Sequence, residues 1–250
     1  MEAARKIRNA VAEVSSLRQA ALANPALEAA LSRVKQLQVR RFTGTYADLL
    51  AGGPYTAGAR FFLDELYSDR NGAERDAQFA RIAGAIERLF PAPVAGTAVA
   101  LAQLHALSEA LDQAMALQWV EQAEAGPRGE AAQYVAAWRA VARRGDRERQ
   151  LAAALEIGRE LSRLTRTPGL RLMLKMMRRP AVAAGLGSLQ HFLETGFDIF
   201  AGIARRDGGA QFLEIIGTRE SALIRMWFDG DIVACEAALA ETLGPPAALG

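Results

Sequence analysis

The sequence predicts an all-α protein, a multi-helix bundle of about nine to eleven helices. Ala and Leu are abundant, whereas Val, Ile and Thr are sparse and form no long runs, a composition that favours helices over strands. Apolar residues recur with the helical period, and short groups of Gly, Pro, Asn and Asp separate the periodic segments. A chain of 250 residues can bury a large core without disulfides or a structural metal.

Residues 1–43 are expected to form an N-terminal helical hairpin. An amphipathic helix covers 3–22, and Asn24 and Pro25 then supply the N-cap and the first position of a second helix. The apolar face of this second helix carries Leu27, Leu31, Val34 and Gln38. Two interpretations stay open: the hairpin packs onto the rest of the chain, or it serves as a dimerisation arm.

Residues 44–250 are expected to form the main helical bundle domain, with a candidate linker at 125–129. Thr45 is predicted to cap a short helix that Gly52 ends, and Thr97 to cap a long helix that runs to about Ala123. Further breaks or caps are predicted at Gly145-Asp146, at 180–187, at Ser188 and at Asp231. Other predicted helices cover 56–67, 73–90, 130–144, 147–165, 170–178, 189–204, 210–228 and 232–242.

Charge and composition bear on the class of protein. The formal net charge is +2, so no strong overall field attracts nucleic acid. The single cysteine, Cys235, rules out an internal disulfide and is expected to be a small buried hydrophobe. The N-terminus lacks an apolar signal segment, and the longest uncharged stretch, 90–108, is too rich in Ala to span a bilayer. We therefore expect a cytoplasmic protein of bacterial type with no membrane span and no nucleic-acid partner.

The densest group of candidate site residues lies in ARFFLDELY, residues 59–67. This helix is apolar around most of its circumference, which is typical of a buried helix, yet it carries charges that then need partners. Arg60 can pair with Asp64 one turn later, and Arg75 is a candidate partner for Glu65. Two interpretations stay open, an interior ion-pair network or a polar pocket formed by Asp64, Glu65, Tyr67, Arg75 and Asp76.

A second group, His105, Glu109 and Asp112, lies on one stripe of the long helix that Thr97 is predicted to begin. A histidine beside carboxylates can act as a base or bind a metal. However, the spacing is His-x3-Glu rather than the Glu-x2-His of di-iron bundles. A histidine at the rim of the core with ordinary charge support is the alternative.

Arg219 falls in the middle of an apolar arc formed by Phe212, Ile216, Leu223 and Met226. A bare arginine there would be costly, so we expect one of two arrangements. Either a buried acid meets it, with Glu109, Asp112 and Glu156 as candidates, or it projects into a cavity and pairs with an anionic ligand.

The segment 170–179, LRLMLKMMRR, is basic, amphipathic and rich in Met. It could touch an anionic membrane surface, form an adaptable binding edge, or pack into the core with its arginines reaching solvent. Another basic run is expected to be a solvated helix face. Sites for single-stranded nucleic acid have aromatic residues between the basic ones, and this run has few. This run contains Arg139, Arg143, Arg144, Arg147 and Arg149.

Motifs of named reactions are missing from the sequence. It contains no phosphate-binding P-loop, no nucleophile elbow and no H-E-x-x-H motif, and the Gly185–Gly187 segment does not follow a strand. Only two histidines are present, so a multi-histidine metal site within one subunit is impossible. His191 is expected to face solvent. We predict no cofactor and no metal.

Four segments together resemble a known family. They are FFLDELY at 61–67, RDAQFA at 75–80, LSEALD at 107–112 and FLETGF at 192–197. The chain resembles a bacterial family of all-helical proteins, a domain of unknown function. The resemblance runs from about residue 55 to 230 and leaves the N-terminal hairpin outside. It implies an all-helical fold and implies no activity.

The function that these features favour is that of a non-enzymatic ligand-binding or protein-interaction protein. A ligand cavity would be lined by Phe, Leu and Met, with Arg219 and the Asp64–Tyr67 cluster as its polar groups. The alternative is an enzyme or metalloprotein that uses carboxylates and His105, with its site between helices 60–68 and 97–123. A partner protein would instead bind through the hairpin or the Met-rich segment. The partners considered are a homodimer or another protein, and a small apolar or anionic ligand.

Overall fold

A computed structural model describes residues 2–63, 92–124, 126, 128–183, 187–207 and 209–244. Within these residues the chain forms eleven α-helices and no strand, which confirms the predicted fold class. The helices are α1 (Glu2–Leu22), α2 (Pro25–Thr45), α3 (Ala47–Ala51), α4 (Thr56–Phe61), α5 (Ala92–Glu124), α6 (Glu130–Val141), α7 (Arg144–Leu164), α8 (Leu170–Ala183), α9 (Gly187–Asp207), α10 (Ala210–Asp229) and α11 (Ile232–Leu243).

Helices α1 and α2 form the predicted hairpin. The side-chain oxygen of Asn24 accepts hydrogen bonds from the backbone N–H groups of Ala26 and Leu27, at 3.2 and 3.3 Å, and Pro25 occupies the first helical position. Both helices pack along α5, and the apolar face of α1 is buried there. The hairpin is therefore packed onto the rest of the chain, and its use as a dimerisation arm stays a prediction.

An aromatic cluster lies at the centre of the bundle, where α2, α5, α6, α10 and α11 meet. The rings of Trp138 and Trp227 are edge to face, with centroids 4.7 Å apart, and Tyr134 lies edge-on to Trp227 at 5.6 Å. A second apolar cluster joins α2, α4, α9 and α10 through Phe42, Tyr46, Tyr55, Ile203 and Phe212. Such rings bury much apolar surface and stabilise the fold.

Two predicted helix starts are wrong. Thr45 is the last residue of α2 and not a cap of α3. Thr97 lies inside α5, and its hydroxyl donates to the carbonyl oxygen of Pro93 at 3.0 Å. The helix begins earlier, at Ala92, because a proline at the second helical position gives up only an N–H that has no helical partner.

Among the later helix boundaries, some predictions are wrong and one is confirmed. The break after α6 falls at Ala142 and Arg143 rather than at Gly145-Asp146, since Ala142 adopts the left-handed conformation with φ 53°. Helix α8 continues through Pro180 to Ala183, and α9 begins at Gly187, so Ser188 is not its cap. The prediction for Asp231 is confirmed, because its carboxylate accepts from the N–H of Ala234 at 2.9 Å.

Helix α5 is the one helix of the described residues that is long and apolar enough to cross a membrane, judged by length and composition over Ala92–Ala123. The core helix of a bundle has the same properties; α5 packs against α1, α2, α6 and α7, and 22% of its apolar stretch is buried. These properties alone are weak evidence for a membrane span.

Candidate functional site

The predicted pocket in ARFFLDELY falls where the structure is not described. Asp64, Glu65, Tyr67, Arg75 and Asp76 all lie outside the described residues. The choice between a polar pocket and an ion-pair network there stays a prediction.

The carboxylates of the second predicted group are turned toward α2. Glu109 forms an ion pair with Lys35, whose Nζ lies 2.9 and 3.1 Å from its two oxygens. Oδ1 of Asp112 accepts a hydrogen bond from Nε2 of Gln38 at 2.7 Å. His105 is half-buried on the same helix. Both acids therefore hold α2 and α5 together.

Asp112 is only 7% exposed, and burial raises its pKa. The positive charge of Arg147 and the bond from Gln38 lower the pKa, but by less than burial raises it. Burial also raises the pKa of the neighbouring Tyr134 hydroxyl. A buried carboxyl with a raised pKa is a type of group that enzymes use as a general acid. Here it joins two helices within the core.

Two arginines that were not proposed as site residues belong to the same region. We name the whole group the polar core, which consists of Lys35, Gln38, Arg41, Glu109, Asp112, Arg147 and Glu220. Arg41 forms an ion pair with Glu220, whose Oε1 also accepts from the Tyr46 hydroxyl at 2.8 Å. The guanidinium of Arg147 lies 4.1 Å from the ring centroid of Trp138, a cation–π contact. Arg147 is 6% exposed, so its assignment to a solvated helix face is wrong. The feature of the sequence that could have indicated this polar core is Gln38, a polar residue on the apolar face of α2.

Arg219 has an acidic partner that sequence reasoning missed. Its two terminal nitrogens donate to the two carboxylate oxygens of Asp48, both at 2.7 Å, and one also donates to the carbonyl oxygen of Thr45 at 2.8 Å. These bonds lower the pKa of Asp48 to about 2 and raise that of Arg219. The acids named from the sequence have other partners: Glu109 binds Lys35, Asp112 binds Gln38 and Glu156 binds Arg159.

No group of three or more His, Cys, Asp and Glu side chains within the described residues is placed to hold a metal ion. Cys235 is buried, as expected, and its thiol donates to the carbonyl oxygen of Met226 at 3.0 Å. His191 is exposed, also as expected.

An open groove of about 730 Å³ lies between α7 and α10. The helices are antiparallel and close: a Cβ added to Gly158 would lie 2.5 Å from Leu213, and one added to Gly217 would lie 3.1 Å from Leu155. The floor is therefore made of small and apolar side chains. Arginines line the rim, at Arg159, Arg163, Arg166 and Arg225, with Glu214 as the one lining carboxylate.

Helix α8 has a buried apolar face and an exposed face that mixes apolar and basic side chains. The inner face, with Leu170 and Leu174 buried, packs against α9, and the carbonyl oxygen of Leu174 accepts from Nε2 of Gln190 at 2.6 Å. The opposite side is solvent-exposed. We name it the outer stripe of α8, which consists of Leu172, Lys175, Met176, Arg179 and Val182.

The sequence model of a family described as "Domain of unknown function (DUF8198)" matches residues 17–233. The chain belongs to the DUF8198 family. The match confirms the resemblance to a domain of unknown function but begins within α1, so the DUF8198 region takes in most of the hairpin that we expected to lie outside. The polar core, the groove and the outer stripe of α8 all lie inside it. No curated protein and no solved structure matches the chain.

Proposed function

We propose that this DUF8198 chain is a non-enzymatic interaction protein that binds a partner protein on the outer stripe of α8. The observation that carries the proposal is the exposure of three large apolar side chains there. Leu172 is 61% exposed, Met176 63% and Val182 60%. Side chains of this kind, grouped on one helix face, are typical of surfaces that other proteins cover.

The spacing of the outer stripe supports a helix face rather than scattered exposure. Its residues follow one another at intervals of three, one, three and three positions, which places them on one side of an α-helix. Met176 lies at the middle of the stripe, and methionine adapts its shape to irregular partner surfaces. The stripe therefore offers a continuous mixed surface about two to three turns long.

The charges of α8 indicate which kind of partner fits. The helix carries four cations and no Asp or Glu. Arg171 and Arg178 are held by Asp198 and Glu194 of α9, on the flanks of the helix. Lys175 and Arg179 belong to the outer stripe itself. A partner with apolar side chains and nearby carboxylates would complement both kinds of group.

A membrane surface and a second copy of this chain are less suitable partners for the outer stripe of α8. Lys175 and Arg179 stand between Leu172 and Val182 on the helical wheel, so inserting the stripe into lipid would carry both cations into the apolar layer. A symmetric dimer through the stripe would place like charges opposite each other. The hairpin, the other predicted interaction surface, has its apolar faces packed on α5.

The test is a quantitative enrichment of binding proteins from cells of the source organism. The full-length chain, the double variant Leu172→Ser/Met176→Ser and the variant Lys175→Glu/Arg179→Glu serve as baits. Leu22→Ser is the matched control, because Leu22 is 61% exposed on α1, away from the stripe. We expect at least one protein that the native chain and the control retain and that both stripe variants lose by about tenfold or more.

Three outcomes would contradict the proposal. No protein shows this pattern; or light scattering shows a native dimer that the stripe variants lose; or the native chain sediments with vesicles of anionic phospholipid and the stripe variants do not. Thermal unfolding of each variant checks that the baits are folded.

A further inference from the structure

We infer that the groove between α7 and α10 binds an acidic amphipathic helix of another protein. This inference does not depend on the outer stripe of α8, which belongs to a different helix. It rests on the floor of the groove, its arginine rim and its length.

The floor suits another helix. Gly158 of α7 lies against Leu213 of α10, and Gly217 of α10 against Leu155 of α7, so the two backbones approach closely. Small residues, with Ala210 and Ser221 at the surface, leave a shallow trough with apolar side chains at its base. A helix laid in such a trough packs its apolar face as the third member of a bundle.

The arginines indicate a negatively charged occupant. Arg159 and Arg163 already pair with Glu156 and Glu160 on their own helix. Arg166 and Arg225 differ, because no carboxylate among the described residues lies within ion-pair distance of either. Arginine is suited to binding carboxylates with two parallel hydrogen bonds.

The positions of these two arginines indicate a long ligand. Contacts between Gly158 and Leu213 and between Leu155 and Gly217 fix the antiparallel register of the helices. Arg166 follows the end of α7 at Leu164, and Arg225 lies near the end of the antiparallel α10, so the two arginines stand at opposite ends of the groove. The helical residues between them, 155–164 and 217–225, together span on the order of 25 Å at 1.5 Å per residue. A helix of about 17 residues covers that distance, with acidic residues in its first and last turns.

The experiment is a fluorescence-anisotropy titration of the full chain with a labelled synthetic peptide. The peptide has about 18 residues, a helical stripe of Leu, and Glu in its two terminal turns. Variants Arg166→Glu and Arg225→Glu remove one end contact each. Thr218→Trp fills the groove from an exposed position. Arg8→Glu on α1 is the matched control, an exposed arginine with the same change of charge.

We expect saturable binding that weakens with salt, a loss of about tenfold for each groove variant and less than about twofold for Arg8→Glu. A peptide with Lys in its terminal turns should bind the double variant Arg166→Glu/Arg225→Glu better than it binds the native chain. Three results would overturn the inference: no saturable binding of the acidic peptide, equal weakening by Arg8→Glu, or full binding by Thr218→Trp.

Discussion

The side-chain amide of Gln38 donates a 2.7 Å hydrogen bond to Oδ1 of Asp112, and this bond joins α2 to α5 inside the bundle. Its acceptor is a buried carboxyl whose pKa is raised by burial. The folded state therefore holds the proton of Asp112 at pH values at which the unfolded chain has lost it. In this range the contribution of Asp112 to the free energy of unfolding falls as the pH rises.

The variant Asp112→Asn is expected to be more stable than the native chain at pH 7. An amide keeps the acceptor for Gln38 and carries no charge, so the cost of burying an ionised group disappears. The advantage should shrink as the pH falls through the folded pKa of Asp112 and vanish below the unfolded value of 3.8. Urea unfolding across this pH range measures it.

A second substitution separates charge from hydrogen bonding in the same place. Asp112→Ala removes the acceptor as well as the charge and leaves the Gln38 amide buried without a partner, so it should be less stable than Asp112→Asn by about 1–3 kcal/mol at every pH. If the native chain were as stable as Asp112→Asn at pH 7, or more stable, that result would contradict this account of the polar core.

The pair formed by Asp48 and Arg219 should show the opposite pH dependence. The pKa of Asp48 is lowered to about 2, so its contribution is present above 3.8 and is lost as the pH falls toward 2. The pair is largely exposed, which limits the contribution to about 1 kcal/mol or less. Asp48→Asn should therefore destabilise slightly at pH 7, less in 1 M salt and still less at pH 2, as measured by urea unfolding. A loss at pH 2 as large as the loss at pH 7 would show that the charge is not responsible.

Two helix caps and the ion pair of Arg219 show which features of this fold its sequence can predict. The caps at Asn24 and Asp231 depend on atoms within three residues and were predicted correctly. Arg219 was expected either to meet a buried acid or to project into a ligand cavity, but its partner is the exposed Asp48, 171 positions away. The choice of that acid depends on how α3 and α10 pack, and the local pattern around Arg219 carries no information about it.

The polar core was visible from the sequence only in part. Gln38 was placed on the apolar face of α2, but no buried partner was predicted for it, although a polar residue on such a face needs one. Arg147 was misassigned because a run of arginines resembles a solvated face, whereas its guanidinium packs on the ring of Trp138. The outer stripe of α8 was one of three alternatives for the Met-rich segment, and the direction in which that helix faces was set by its contact with α9.

Ala142 offers a stabilising substitution. It ends α6 in the left-handed conformation at φ 53°, which costs a residue with a Cβ about 1 kcal/mol and costs glycine little. Ala142→Gly is therefore expected to raise the free energy of unfolding by about 0.5–1 kcal/mol. Ala152→Gly, at an exposed position within α7, should lower it by about the same amount. A loss of stability in Ala142→Gly, measured by thermal unfolding, would contradict the conformation of the α6–α7 break.

Gly44 should not tolerate a side chain. A Cβ at this position would overlap the carbonyl oxygen of Thr242, where α2 meets α11. Gly44→Ala is expected to lose about 1–3 kcal/mol despite the better helix propensity of alanine. The matched control is Gly145→Ala near the start of α7, where an added Cβ meets no atom within 4 Å and stability should rise slightly. Equal effects of the two substitutions would contradict the close approach of α2 and α11.

The proposal for the outer stripe of α8 is tested most directly by photo-crosslinking in living cells. A photoreactive benzoyl-phenylalanine replaces Met176 in one strain and Leu22, equally exposed on α1, in another. We predict one adduct of defined mass from position 176 that is missing from position 22, and that disappears when Lys175→Glu/Arg179→Glu is added. An adduct formed equally at both positions, or one that survives the charge reversal, would contradict the claim that α8 binds an acidic partner protein.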